Sequence, residues 1–301
     1  MTNYPRLQNF FFYLFSYLDD NKSSNSMDII IIILSSFLYS SAAFIFWVVK
    51  GGFNKRFLYT DNLLLGTVMS GILLFIYNVA GTNLYFLIIV LSPLTGFILF
   101  VLLFLYRFFR NPSRKITTNT DDIVSPADGR IIYIKELEKG QTPVSVKKHR
   151  LASINEITKT EITEQPCYLI GIAMTLFDVH INRAPLEGKV ILVKHTPGDF
   201  LGLNKPESTI VNERNTVVIR REDGIMVAVI QIAARYVRRC IVSVTEGENV
   251  GHGSVIGKIR WGSQADLVIP RNCEILVREG EQVFAGSTVI AKLIRYNVST
   301  D

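Results

Sequence analysis

The stretch Thr216-Val-Val-Ile-Arg-Arg-Glu-Asp-Gly-Ile-Met-Val-Ala-Val-Ile-Gln-Ile-Ala233 decides the fold class of the larger part of the chain. Its ends, Thr216–Arg220 and Met226–Ala233, are short runs rich in β-branched residues, and Glu222-Asp223-Gly224 between them is a strong turn signal. The same texture extends in both directions. Arg130–Ile134, Tyr168–Thr175, Val190–His195, Ile241–Thr245 and Val289–Ile294 read as strands, and Ser125-Pro126-Ala127-Asp128-Gly129 reads as a turn. No long amphipathic helical stretch competes. From Val124 onward the expectation is therefore an all-β or mostly-β soluble domain, a barrel or a sandwich. Residues 137–166 are polar, with Lys147, Lys148, His149 and Arg150 together, and read as a solvated excursion.

Upstream the composition changes. Ile, Leu and Phe dominate before about position 107, and Ile29–Val49, Leu63–Ala80 and Leu84–Tyr106 are almost unbroken apolar runs. About 20 apolar residues cross a bilayer core of about 30 Å, so these lengths suit a helical transmembrane region. Gly81-Thr82-Asn83 reads as the tight turn of a helical hairpin, which crosses the membrane or enters one leaflet. The competing reading is a pair of buried helices in a soluble domain. Lys50, Lys55 and Arg56 follow the first run, and Arg107, Arg110, Arg114 and Lys115 follow the third. Positive residues stay cytoplasmic, so the soluble domain is expected on that side. The expected organisation is a membrane anchor over 1–106, a basic linker over 107–123 and a soluble domain over 124–301.

The chain has 301 residues and a formal net charge of +6. Beside an apolar anchor, that balance points to an anionic membrane surface. No aromatic–basic interleaving suggests a base-stacking platform, so nucleic acid is not an expected partner. Cys167, Cys240 and Cys273 are odd in number, far apart and without a CxxC pair, so neither a disulfide framework nor a zinc site is indicated. No metal is expected.

Glu274-Ile-Leu-Val-Arg-Glu-Gly-Glu-Gln-Val-Phe-Ala-Gly-Ser-Thr-Val-Ile-Ala291 has the cadence of a lipoyl or biotinyl hairpin. The resemblance concerns the fold, because the attachment lysine between two methionines is absent.

Three further segments carry groups capable of chemistry: the turn holding Asp128, Phe177-Asp178-Val-His180-Ile-Asn182-Arg183-Ala-Pro185, and Arg260-Trp261-Gly262-Ser263. Alone, each has an ordinary explanation. An Asp before Gly is commonly a turn residue, and a His between apolar neighbours is commonly structural. Gly-Ser also occurs at Gly253-Ser254 and Gly286-Ser287, and spacing does not choose among the three serines.

Together, the segments resemble the phosphatidylserine decarboxylase family, in its short bacterial or archaeal form. The resemblance begins at Phe108-Phe-Arg110-Asn-Pro112 and runs through Val124-Ser-Pro-Ala-Asp-Gly-Arg130 and Phe177–Pro185. It continues through Pro197-Gly-Asp-Phe200 and Asn212-Glu-Arg-Asn215 to Gly257-Lys-Ile-Arg-Trp-Gly-Ser263, in the family's order.

The resemblance implies a proenzyme that cuts itself between Gly262 and Ser263. Ser263 Oγ attacks the Gly262 carbonyl, the resulting ester eliminates, and hydrolysis releases ammonia and leaves a covalent pyruvoyl group at 263. Serine needs a base, and His180 is the candidate. Asp128 would orient it, by the logic of a Ser-His-Asp triad. The pyruvoyl carbonyl is then an electron sink for decarboxylating a serine headgroup, with no metal and no dissociable cofactor. The implied partners are a membrane phospholipid and the chain's own cleaved α and β pieces as a heterodimer, with a higher oligomer compatible.

Arg183 stands where larger relatives carry a second histidine, so His180 is left to serve cleavage, turnover or both. Arg183, Lys205 and Arg214 are candidates for binding substrate, the latter two through the lipid phosphate, with surface solvation the alternative. Phe200, Leu201 and Leu203 form an apolar tip that either meets the membrane or packs in the core. Two other functional readings remain: decarboxylation of an ether-linked serine lipid (archaetidylserine), and a non-enzymatic, membrane-tethered lipoyl-like adaptor, which predicts an uncut chain.

Overall fold

A computed structural model of the chain describes residues 26–51, 56–80, 85–116, 119–147, 150–153, 161–175, 178–197, 214–232, 240–259 and 264–294. The chain divides into two compact units, Met1–Tyr106 and Arg107–Asp301.

The apolar runs of the first unit form three helices, α1 (Ser26–Gly51), α2 (Arg56–Ala80) and α3 (Tyr85–Phe109). Their apolar windows, Ser26–Ile45, Tyr59–Val79 and Ile88–Phe109, hold 20, 21 and 22 residues, long enough to cross a bilayer core. Ile29, Ile32, Met69, Leu73, Tyr77 and Ile88 form a shared core. Leu34, Leu38, Phe75, Val79, Phe97 and Leu102 stay exposed. Exposed apolar side chains on this scale mark a surface that meets a membrane or another protein. The turn expected at 81–83 lies outside the described residues.

The second unit is mostly β, as its short apolar runs require. In chain order its strands are β1 (Asp122–Val124), β2 (Gly129–Leu137), β3 (Val144–Lys147), β4 (Arg150–Ser153), β5 (Cys167–Ala173), β6 (Ile181–Arg183), β7 (Gly188–Thr196) and β8 (Arg214–Arg220). Then come β9 (Met226–Ile232), β10 (Cys240–Val242), β11 (Asn249–Val250), β12 (Val255–Ile259), β13 (Gln264–Pro270), β14 (Cys273–Ile275), β15 (Gln282–Val283) and β16 (Val289–Leu293). An eight-stranded sheet runs β11-β7-β8-β9-β13-β5-β2-β15, accompanied by the three-stranded sheets β1-β16-β14 and β10-β12-β6. The polar excursion is not wholly irregular: β3 and β4 pair there as an antiparallel hairpin, and Ile162 is buried.

Both faces of the large sheet are covered, which is why its strands read as near-continuous apolar runs. Side chains alternate across a strand. One face sends Ile170, Ile172, Val217, Ile219, Val227, Val229, Leu267 and Ile269 into the main core. The other sends Leu169, Val218, Ala228, Ile230, Ile232 and Val268 into a second core. Each fully buried aliphatic side chain contributes about 1.5–3 kcal/mol. Against that background the polar residues on central strands stand out: Gln231 on β9, and Gln264 and Asp266 on β13, all at most 2% exposed.

Candidate active site

The Ser125–Gly129 turn joins β1 to β2 and is closed on itself, with Ser125 Oγ donating to Ala127 O at 2.7 Å. Asp128 is buried at its end. Its Oδ1 accepts from the Ala285 backbone N–H at 2.8 Å, and its Oδ2 lies 2.6 Å from Arg114 Nη2. Burial pushes the Asp128 carboxyl upward, while the Arg114 charge and the Ala285 N–H pull it back.

His180 sits just before β6. Its backbone carbonyl accepts from the Ile259 N–H at 2.9 Å, at the end of β12. Its ring Nδ1 is 2.8 Å from Asp178 O. A carbonyl only accepts, so Nδ1 carries the proton and Nε2 presents its lone pair. Nε2 is buried without a hydrogen-bond partner among the described residues. The Phe108 ring stacks on the imidazole at a centroid distance of 4.4 Å. Burial lowers the His180 pKa to about 4, and the bond to Asp178 O opposes this. His180 is therefore neutral, with a bare Nε2, across the physiological range. Asp178 is fixed in turn: its Oδ2 accepts from Thr175 N and Oγ1 at 2.7 and 2.8 Å, and Oδ1 from Gln282 Nε2 at 3.3 Å.

Among the described residues no hydrogen bond joins Asp128 to His180, and Ser263, the third member of the expected Ser-His-Asp set, lies outside them. The group that orients His180 is the Asp178 carbonyl, two residues away, and Asp128 is bonded to Arg114 and Ala285. Gly262 and Ser263 lie outside the described residues, as do Phe200, Leu201, Leu203 and Lys205. Their described neighbours in sequence are Ile259, tied to His180, and Gln264, which opens β13 between β5 and β9 opposite Ala173 and Ile232. Gln264 Nε2 donates to Asp266 Oδ1 at 2.7 Å and to Tyr133 OH at 3.0 Å, and Tyr133 OH donates to Asp266 Oδ2 at 2.7 Å. The Tyr133 ring lies over Gly171, where a Cβ would come within 2.4 Å of it.

The two other Gly-Ser pairs sit in turns. Ser254 N bonds to Gly251 O, and Ser287 N to Phe284 O. Arg183 is spent on structure, with Nη1 donating to Gly253 O at 3.0 Å and Nη2 to Asn111 Oδ1 at 2.9 Å. Arg214 is buried at the start of β8, opposite Ile232, which in turn faces Gln264.

A buried amide ladder lies on the main-core face of the sheet. Asn182 Nδ2 donates to Pro126 O at 3.3 Å, Gln231 Nε2 to Asn182 Oδ1 at 3.0 Å, and Asn215 Nδ2 to Gln231 Oε1 at 3.2 Å. Gly257 makes room for it, because a Cβ there would stand 2.6 Å from Gln231 Nε2. The ladder ties the Asp128 turn to the His180 segment. Asn182 and Asn215 lie inside the quoted motifs, and Gln231 and Asp266 each interrupt an apolar run. Those interruptions were the available signal for residues that sequence reasoning passed over.

Among the described residues, no three His, Cys, Asp or Glu side chains converge as a metal site. The cysteines are free and buried, and burial pushes the Cys167 and Cys273 thiols up to about 11 and about 12.

Comparison with known proteins bears on the same residues. The profile of the phosphatidylserine decarboxylase family matches residues 101–291, well over half of the chain. The chain belongs to that family. A Methanocaldococcus jannaschii protein, provisionally named archaetidylserine decarboxylase proenzyme, is 40% identical over 191 residues, which cover 64% of this chain and 90% of that protein. The phosphatidylserine decarboxylase proenzyme of Magnetococcus marinus is 33% identical over 62% of this chain and 76% of its own length. The phosphatidylserine decarboxylase proenzyme of Saccharopolyspora erythraea is 36% identical over 62% of this chain and 72% of its own length. The family match begins within α3, so it takes in the helix end that carries Phe108.

Proposed function

We propose that the chain is a proenzyme that cuts itself between Gly262 and Ser263 and then decarboxylates the serine headgroup of phosphatidylserine to give phosphatidylethanolamine and CO2. The observation that carries this reading is His180. It is a buried neutral base with its tautomer set by Asp178 O and its backbone fastened to Ile259, four residues before Ser263. Family membership and the proenzyme names of relatives support self-cleavage.

The described residues fit a pyruvoyl group at 263. The residue that follows is the first of a strand buried on both sides, and the unpartnered His180 Nε2 is a proton acceptor near the preceding strand's end. Such a group supplies the electron sink for the pair left when CO2 departs. The chain's own residues move and hold protons. His180 Nε2 takes the Ser263 hydroxyl proton during cleavage and is free to return one during turnover. Asp128, through Arg114 and Ala285, fixes its own turn, and Asn182 Nδ2 and Arg183 N fasten that turn to the His180 segment at Pro126 O. Of the two residues considered for the lipid phosphate, Arg214 shares a cross-strand row with Gln264, the residue after Ser263, and is the candidate this reading favours.

In this reading the three apolar helices are the membrane anchor, over 1–106, and the basic residues that follow the first and third apolar runs favour the cytoplasmic face for the catalytic domain. The β14–β16 pairing within the tail suits a lipoyl-like fold without a swinging cofactor.

Intact mass of the purified protein tests the reading: one chain should end at Gly262 and the other should begin with a blocked residue. Ser263→Ala should give one uncut chain without lipid product, and cutting that persists in Ser263→Ala would end the proposal. The archaeal relatives favour a second reading in which the lipid is ether-linked. Parallel assays with diacyl and dialkyl-ether serine lipids decide between them.

A further inference from the structure

The stretch Phe108-Phe109-Arg110-Asn111-Pro112 marks the start of the family resemblance, yet none of these residues bears a group suited to the reaction. Its contacts within the second unit give it a role. The helix α3 ends at Phe109, and Pro112 prevents its extension by restricting the residue before it. The chain then runs extended past the catalytic groups. Asn111 Oδ1 and Pro112 O accept from Arg183 Nη2 at 2.9 and 3.4 Å. Arg114 binds Asp128 and lies over the Phe284 ring at 5.7 Å. Phe108, 5% exposed on the helix's last turn, stacks on His180 with an interplanar angle of 36°. Phe109 beside it is 68% exposed and meets the Phe108 ring edge-on at 5.0 Å.

We propose that Phe108 is a positioning residue for His180: its stacked ring fixes the imidazole plane and shuts water out from Nε2. The proposal rests on His180 being the base for self-cleavage. The Nδ1 bond to Asp178 O sets the tautomer but is a single tether, about which the ring can still swing. A planar ring against the imidazole face restricts that swing. A bare aromatic face also attracts a cation, which would favour the imidazolium. Burial acts in the opposite sense and lowers the His180 pKa to about 4. Among the described residues, the charged groups around this site include Asp178, Arg110 near Asp178, the Arg114–Asp128 pair, and Arg183, which feels the charges of that pair. The Asp178 carboxylate is occupied by Thr175 and Gln282, and Asp128 by Arg114 and Ala285. The cover over the ring is therefore the part that substitution at 108 removes.

The test is the rate of self-cleavage of full-length precursor, made by cell-free translation into phosphatidylglycerol–phosphatidylcholine vesicles and followed after a jump to a series of pH values. Phe108→Ala removes ring and cover, so the rate should fall on the order of 10–100-fold. Its acid midpoint should rise toward the ordinary histidine value of about 6.5. Phe108→Leu keeps apolar cover but loses the stacked plane, so its rate should fall several-fold while the midpoint stays low. Tyr106→Ala, exposed on the same helix, should cleave like the unaltered chain. If Phe108→Ala does not accumulate, Phe108→Leu carries the test, and a normal rate there overturns the proposal. So does a normal rate and midpoint in Phe108→Ala. Ser263→Ala and His180→Ala run alongside. If either still cleaves, the reading of the site fails; if both are silent while Phe108 variants are normal, only the role of Phe108 fails.

Discussion

Asp128 lies 2.6 Å from Arg114, and no hydrogen bond among the described residues joins it to His180. A buried pair of this kind is costly to break from one side, because the surviving charge loses its partner. Asp128→Ala strands both Arg114 and the Ala285 N–H, and should lower stability by about 3–5 kcal/mol. Asp128→Asn keeps an acceptor for Ala285 and should lose less. Arg114→Met with Asp128→Leu removes both charges and should be more stable than Asp128→Ala alone. Urea melts on a Ser263→Ala background read the order directly. If Asp128→Ala melts like its parent, the pair has no structural weight.

The buried imidazole sets a pH signature. With the His180 pKa lowered to about 4, the neutral base persists well below the pH at which a solvated histidine is half protonated. Precursor cleavage should therefore hold its rate from pH 7.5 to about 5.5 and reach half near pH 4. The stability sign agrees. The unfolded chain takes up the proton near pH 6.5 and the folded chain only near 4, so stability is lost as pH falls through that window, in total on the order of 3 kcal/mol. Asp128 and Asp178, both pushed upward by burial, act in the opposite sense at acid pH, and melts report the sum. The cleavage rate is the cleaner readout, and a midpoint at 6.5 would contradict the buried geometry.

The strands were legible because each needs only a short apolar run and a turn signal. Thr216–Arg220 lies inside β8, and Met226–Ala233 takes in all of β9, Ala233 lying outside the described residues. His180 was legible as a residue type in an ordered motif, but its hydrogen-bond partner was not. A backbone carbonyl leaves no mark in a sequence, so the bond from His180 Nδ1 to Asp178 O could not be read there, whereas an acidic side chain such as Asp128 could be singled out. Arg110 and Arg114 read as membrane-side charge, because partners fourteen or more residues away are set by the fold alone. The hairpin of β3 and β4 escaped notice since Val144–Lys147 has one turn of alternation and polar flanks.

Tyr133 should tune the start of β13. Its hydroxyl donates to Asp266 and accepts from Gln264, the residue directly after Ser263. Tyr133→Phe removes one bond from each partner inside a dry core, a loss of about 1–3 kcal/mol. Gln264 then keeps its bond to Asp266 but loses its second tether, so cleavage should slow as well. Gly171→Ala offers a steric counterpart, because the new Cβ would press on the Tyr133 ring. Both effects are measured by melts of the Ser263→Ala background and by the cleaved fraction after a timed pulse. Full-rate cleavage in Tyr133→Phe would show that the cluster serves packing alone.

Cleavage after Gly262 should not release the second chain. β13 lies inside the large sheet, paired over Gln264–Pro270 with β5 and over Gln264–Val268 with β9. β15 pairs with β2, and β16 with β1, so the later strands also belong to sheets built from the first chain. Ala265, Leu267, Val268 and Ile269 are fully buried, and each of the three larger ones contributes about 1.5–3 kcal/mol. Association of this kind is apolar and ladder-based, so salt should not loosen it. The two pieces should co-purify through a 1 M salt wash, a concentration at which the screening length is about 3 Å. They should separate only when the fold itself melts, with one urea transition for dissociation and loss of sheet signal. Dissociation at lower urea than the loss of sheet signal would mean that the strands after 263 are peripheral, against the pairing of β13 between β5 and β9.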